Sequence, residues 1–195
     1  MRVKGVIVRV YVSAMLLFIC SIMMSNASAE NVRDSRIQFV DISFLEHAYF
    51  PKNSVKEKNT VNVSDVHREY AKNKYRIKLE QRRYNVVLAK DVNHERILAG
   101  LITIEIPYKD TLALLAVVLS HELRVQRAVV IEVDKKYIDD FKSSIGVGVI
   151  KRYTMTSVRQ LKYLASVIKK QGVLAELISA EIAMMAATLA AEMGN

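Results

Sequence analysis

His121-Glu122 is the first pair in this sequence whose types and setting suggest a reaction. A histidine followed by a glutamate at the end of an apolar run, AVVLSHELRVQRAV over residues 116–129, is how a zinc-protease helix begins. Such a helix needs a second histidine four residues on, because only that spacing puts two imidazoles on one face around one metal. Position 125 is Val, and His47, His67 and His94 lie toward the amino-terminal side. His121 and Glu122 therefore read as the wet end of a buried helix, where a histidine suits the C-terminal dipole. If the chain is a hydrolase, they are still the first place to look.

Three other groups fail on spacing. Glu132, Asp134, Asp139 and Asp140 are interleaved with Lys135 and Lys136, adjacent helical residues diverge by about 100°, and the calcium-loop pattern is missing. The run Ser143-Ser144-Ile145-Gly146-Val147-Gly148 lacks the Gly-Lys-Ser/Thr ending of a phosphate loop, and no Gly-x-Ser-x-Gly elbow occurs. No catalytic, metal or cofactor-binding residue is assigned, and no cofactor is expected.

Binding chemistry is better represented. Residues 68–84 (REYAKNKYRIKLEQRRY) interleave three tyrosines with seven Lys/Arg. Candidate anion-binding residues are Lys74, Arg76, Lys78, Arg82 and Arg83, extended by Lys151, Arg152, Arg159 and Lys162. They read first as a solvated basic face, with an anionic lipid or glycan surface as the contact it would make. Nucleic acid is the alternative, because aromatic residues among cations also suit single strands.

The elements that must position these groups follow from periodicity. Tyr75, Ile77 and Leu79 alternate with Arg76, Lys78 and Glu80, which predicts a half-buried strand. Strands are expected at 84–88, at 97–106 up to Pro107, and at 127–134. Residues 112–125 are apolar around most of a helical circumference and predict a buried helix. A short helix is expected at 135–142 and a last strand at 147–153. Thr156 or Ser157 then caps a helix ended by Gly172. The closing helix, from Val173 to about Met193, is almost wholly apolar. Leu174, Leu177, Ile178, Ile182, Met185 and Leu189 form its candidate partner-binding face, for a protein partner or a second copy. Glu176 and Glu181 argue against its spanning a membrane.

The expected fold class is α+β, a small mixed or antiparallel sheet covered by helices, with two helices at the C-terminus. In element order alone, IPYKDTLALLAVVLSHEL followed by RAVVIEV resembles the strand, helix and strand of small βαββ modules in bacterial secretion and pilus rings. That resemblance implies a component of a secretion, pilus or conjugation apparatus.

Residues 1–29 read as a signal peptide. Arg2, Lys4 and Arg9 precede the apolar run 10–24, and Ala27-Ser28-Ala29 suits a signal peptidase, so the mature chain is expected to begin at Glu30. The apolar run is shorter than the roughly 20 residues of a spanning helix. The lone cysteine, Cys20, lies within it, leaving a disulfide-free product. Net charge is +9 for the whole chain and +6 without those three cations. Residues 30–66 are expected to form an N-terminal arm and polar connector, and 67–195 the α+β domain. Together these features describe an exported protein of the periplasm or cell envelope, secretion included, that works by binding or assembly. An exported hydrolase and a polyanion binder are the alternatives.

Overall fold

The computed structural model describes residues 35–93, 96–143, 150–168 and 171–194. The expected signal peptide and most of the Ser143–Gly148 run lie outside them. Residues 37–195 form one compact unit. Its elements in order are β1 (Arg36–Gln38), α1 (Ile42–Tyr49), β2 (Ser54–Asn62), α2 (Asp65–Tyr75), β3 (Arg83–Asp91), β4 (Ile97–Tyr108), β5 (Thr111–Ser120), β6 (Val125–Asp134), α3 (Ile138–Lys142), α4 (Leu161–Ile168) and α5 (Val173–Gly194). Single 3₁₀ turns precede α3 and α4.

The expected α+β class holds: a six-stranded open antiparallel sheet in the order β1-β6-β5-β4-β3-β2, with two helices at the C-terminus. β4 and β5 form its middle, joined by the two-residue turn Lys109-Asp110, where Lys109 takes φ 54. Their register runs from Tyr108 opposite Thr111 to Ala99 opposite Ser120.

The largest correction is residues 112–125, expected as a buried helix. They supply β5 and the turn into β6. β5 is covered on both faces: Ala113, Leu115, Val117 and Leu119 join the core under α5, while Ala116 and Val118 join the core under α1. A strand buried on both faces loses its polar alternation and cannot be told from a buried helix by periodicity. The element order behind the likeness to secretion-ring modules is accordingly absent.

Other boundaries moved for physical reasons. The alternation at 75–80 is real in burial, with Tyr75, Ile77 and Leu79 inside. Tyr75, however, ends α2, and residues 76–80 run on without a partner strand. Pro107 does not end β4; it pairs opposite Leu112 beside the turn. Part of the stretch read as a polar connector is β2, an edge strand paired with β3 from Ser54–Asp91 to Asn62–Arg83. Residues 150–153, expected in a strand, are helical. Ser157 stands before the turn that leads into α4 without a side-chain cap, and Thr156 donates instead to the Arg152 carbonyl.

α5 is the hub of the larger core. It packs on β4 and β5 and is covered by α2 and α4, so every residue from Glu181 to Ala191 is buried. Its alanines permit that close surround, and Gly100 of β4 permits the approach of Leu189. A Cβ there would stand 2.8 Å from Leu189 Cδ1. On the opposite sheet face α1 is capped by Asp41, whose side chain accepts from the Ser43 N–H. It is tied to β2 by Glu46, which pairs with Lys56 at 2.9 Å and Lys58 at 3.8 Å.

Candidate functional site

The zinc-like pair falls in the hairpin turn between β5 and β6. His121 and Glu122 are both exposed, Glu122 pairs with Arg124 at 3.5 Å, and neither lines a cavity described below. With no helix there, the dipole argument for His121 lapses. Among the described residues no group of three or more His, Cys, Asp or Glu is placed to hold a metal. Asp134, Asp139 and Asp140 diverge as expected: Asp134 accepts from the Lys136 N–H, while Asp140 accepts from Tyr108 and Lys109.

The candidate anion-binding residues divide among several places. Lys74 donates to the Tyr70 hydroxyl at 2.8 Å and lies over that ring. Arg76 and Lys78 line a basic cleft at the end of α2. Arg82 is committed, with Nη1 2.5 Å from Glu181 and Nη2 2.7 Å from Glu80. Arg83 lines an open groove of about 670 Å³ on the α1 face of the sheet, whose wall also carries Glu105. Lys151 lines a third cleft, and Arg152, Arg159 and Lys162 are exposed nearby along the chain.

The six candidate partner-binding residues of α5 face inward. Ile178, Ile182, Met185 and Leu189 are fully buried, and Leu174 and Leu177 pack against the same core. Within α5, Glu181 is the buried charge. Burial lifts its carboxyl above the ordinary range against the pull of Arg82, and its Oε2 finds no partner among the described residues. Tyr84 beside it is pushed up to about 12, first by burial and then by that negative charge.

One arrangement had no sequence signal. Ser64, His67 and Glu192 form a chain: Ser64 Oγ lies 2.8 Å from His67 Nδ1, and Nε2 meets Glu192. The residue types are those of an acyl-transfer triad. The backbone settles their role differently, since the Ser64 N–H also donates to Nδ1 at 3.0 Å and Ser64 Oγ accepts from the His67 N–H. This is a capping box with histidine in the usual glutamate position. Because Nδ1 accepts, the ring proton sits on Nε2 and points at Glu192, tying α2 to the end of α5.

The best-formed cleft lies along the outer edge of β6. At one end Val125 exchanges backbone hydrogen bonds with Met155 and Thr156, at 2.6 and 2.9 Å. At the other the Phe39 N–H donates to the Ile131 carbonyl at 2.7 Å before the chain turns into α1. Between them Arg127, Ala128, Val129 and Val130 face a cavity of about 270 Å³, closed by Phe39, Phe141 of α3 and Ile150. Arg127, Lys142 and Lys151 stand around it with Thr154, and among the described residues no carboxylate is in its lining. None of the three cations is ion-paired among the described residues. Apolar walls with a few convergent polar groups are the usual make-up of a small-molecule site. Sequence reading found Lys151 but missed the cleft, because Arg127, Phe39 and Phe141 meet only through the sheet edge.

No family model matches the sequence, and no curated protein or solved structure matches it either.

Proposed function

We propose that this chain is an exported binding protein of the cell envelope that holds a small anion with an apolar body in the β6 cleft. The observation that carries the reading is the set of three cations, Arg127, Lys142 and Lys151, around an apolar cavity, none of them ion-paired among the described residues. Unpaired cations at the mouth of a low-dielectric pocket attract an anionic head, and the aromatic walls reward an apolar body. Among the described residues the lining holds cations and apolar groups rather than a histidine or carboxylate, which supports holding an anion. The amino-terminal pattern of cations, apolar run and Ala27-Ser28-Ala29 supports the exported setting. α5 packs against its own sheet, and the reading proposed here does not draw on a protein contact through it.

The test uses 1-anilinonaphthalene-8-sulfonate, which joins a ring system to one anionic group. The purified full chain binds it saturably, near one per chain. R127E and K151E each weaken binding at least ~10-fold, as charge reversal beside an anion requires, while R83E in the open groove has no effect. Unsaturable binding, or binding indifferent to both reversals with far-UV circular dichroism unchanged, overturns the proposal.

A further inference from the structure

The basic cleft at the end of α2 is a second place where charge and backbone geometry coincide. The helix stops at Tyr75, and the Arg76 N–H turns back onto the Ala71 and Lys72 carbonyls with φ 58 and ψ 30. Glycine fits that left-handed closing position without strain, whereas a side chain with a Cβ is strained there. From Arg76 the chain returns past the helix. Ile77 and Leu79 point into the core, which throws Arg76 and Lys78 outward. Between helix and returning segment lies a cavity of about 340 Å³, lined by Arg68, Lys72, Arg76, Ile77, Lys78 and Leu79. Four of the six are cations and none is acidic. Arg68 pairs with Asp65 on its own helix, while Lys72, Arg76 and Lys78 have no ion pair among the described residues.

Cations also favour a helix C-terminus through the dipole, and that accounts for Lys72 and Lys74 in the last turn. It does not account for an arginine at the one position where glycine closes the helix more easily. Nor does it account for Lys78, which lies beyond the helix and shares the same cavity. We propose that this cleft binds an oligophosphate group, with Arg76 and Lys78 on one wall and Lys72 and Arg68 on the other. Guanidinium forks match tetrahedral oxyanions in geometry as well as charge. At roughly 30 Å³ per water, the cavity has room for more than one such group. The apolar floor of Ile77 and Leu79 lowers the local dielectric and strengthens the attraction. The terminal phosphate of a free oligophosphate and the phosphate of a phosphomonoester lipid headgroup present the same oxyanion chemistry. This site is separate from the β6 cleft and stands or falls without it.

The experiment measures binding of tripolyphosphate to the purified full chain by titration calorimetry, and of phosphatidylcholine vesicles with and without phosphatidic acid by co-sedimentation. The native chain binds tripolyphosphate, the phosphatidic acid vesicles, or both, and affinity falls as salt rises. Binding only to the vesicles assigns the headgroup; binding to tripolyphosphate assigns the free anion as sufficient. R76G weakens the binding at least ~10-fold while leaving the melting temperature unchanged or raised by about 2–4 °C, as relief of left-handed strain requires. R76K, which keeps the charge but loses the guanidinium fork, falls between R76G and the native chain, and R83A behaves as the native chain. Failure of the native chain to bind either probe, binding insensitive to salt, or R76G binding as well as native overturns the proposal.

Discussion

Replacing Arg82 by methionine tests whether Glu181 is carried in the core as an ion. The substitution keeps the aliphatic stem and removes the guanidinium 2.5 Å from a carboxylate that is 3% exposed. At an effective dielectric of about 20, that separation corresponds to roughly 7 kcal/mol of attraction. Desolvation of both groups offsets about half of it, and removing one partner of a buried pair typically costs about 3–5 kcal/mol. Arg82 is 28% exposed and shared with Glu80, which places the loss at the lower end, about 3 kcal/mol. For a chain of this size that lowers the melting temperature by about 6–12 °C. The sequence has no Trp, so urea unfolding is followed by far-UV circular dichroism.

The pH dependence gives the sharper result. Burial already raises the Glu181 pKa in the folded chain, and losing Arg82 raises it further. A carboxyl whose folded pKa lies above its unfolded value destabilises fully above the folded pKa and less as pH falls through it. R82M is therefore far below native stability at pH 8 and closer to it at pH 5. R82M/E181L, which removes both charges, returns to within about 1 kcal/mol of native. A loss for R82M below about 1 kcal/mol, or one equal at both pH values, refutes the ionised pair.

Gly100→Val inserts two methyls and a Cβ against Leu189 and Met193 and destabilises by about 1–3 kcal/mol, read as a lower urea midpoint with unchanged slope. His67→Ala removes the side-chain half of the capping box and the tie to Glu192, while the backbone N–H still reaches Ser64 Oγ, and costs about 1 kcal/mol; H67Q, which can still reach back to the Ser64 N–H, recovers part of it. Burial pushes Tyr84 and Tyr153 up to about 12, so phenolate absorbance at 295 nm shows them silent near pH 10. The folded chain holds those protons more tightly than the unfolded one, so stability is full below pH 10 and declines as pH rises toward 12. Mass spectrometry of the mature protein from its native source gives a chain beginning at Glu30; retention of residues 1–29 removes the argument for cleavage.

β3 and α4 are legible because each has one wet face, and α5 by its composition and length. β3 alternates, α4 carries Lys162 and Tyr163 outward over Leu161 and Ile168, and α5 is too apolar and too long for a strand. β5 was misread because it has no wet face at all. At 75–80 the alternation reported burial correctly, and what failed was the step from alternation to a paired strand. Polar β2 was passed over for the converse reason, since its one fully buried apolar residue is Val61. For the clefts, single residues such as Lys151, Arg76 and Lys78 could be picked out by charge. Their neighbours could not, because a strand edge and a helix closure bring together positions that no linear spacing links. The inward face of α5 shows the limit of an apolar stripe as a signal: it says that something must cover the helix, not what.

That α5 is the hub has a consequence for how the chain reaches its native state. From β3 to β6 the sheet is built from successive neighbours, whose pairing is local and fast. The ties that hold α5 against it span much longer stretches of chain: Arg82 meets Glu181 across 99 positions and His67 meets Glu192 across 125. Until α5 is available, a broad sheet face of Tyr84, Ile102, Leu115 and Val117 stays open to other chains. A product shortened within α5 would be left permanently in that sticky half-made form, so the solubility of the sheet rests on a single distant helix.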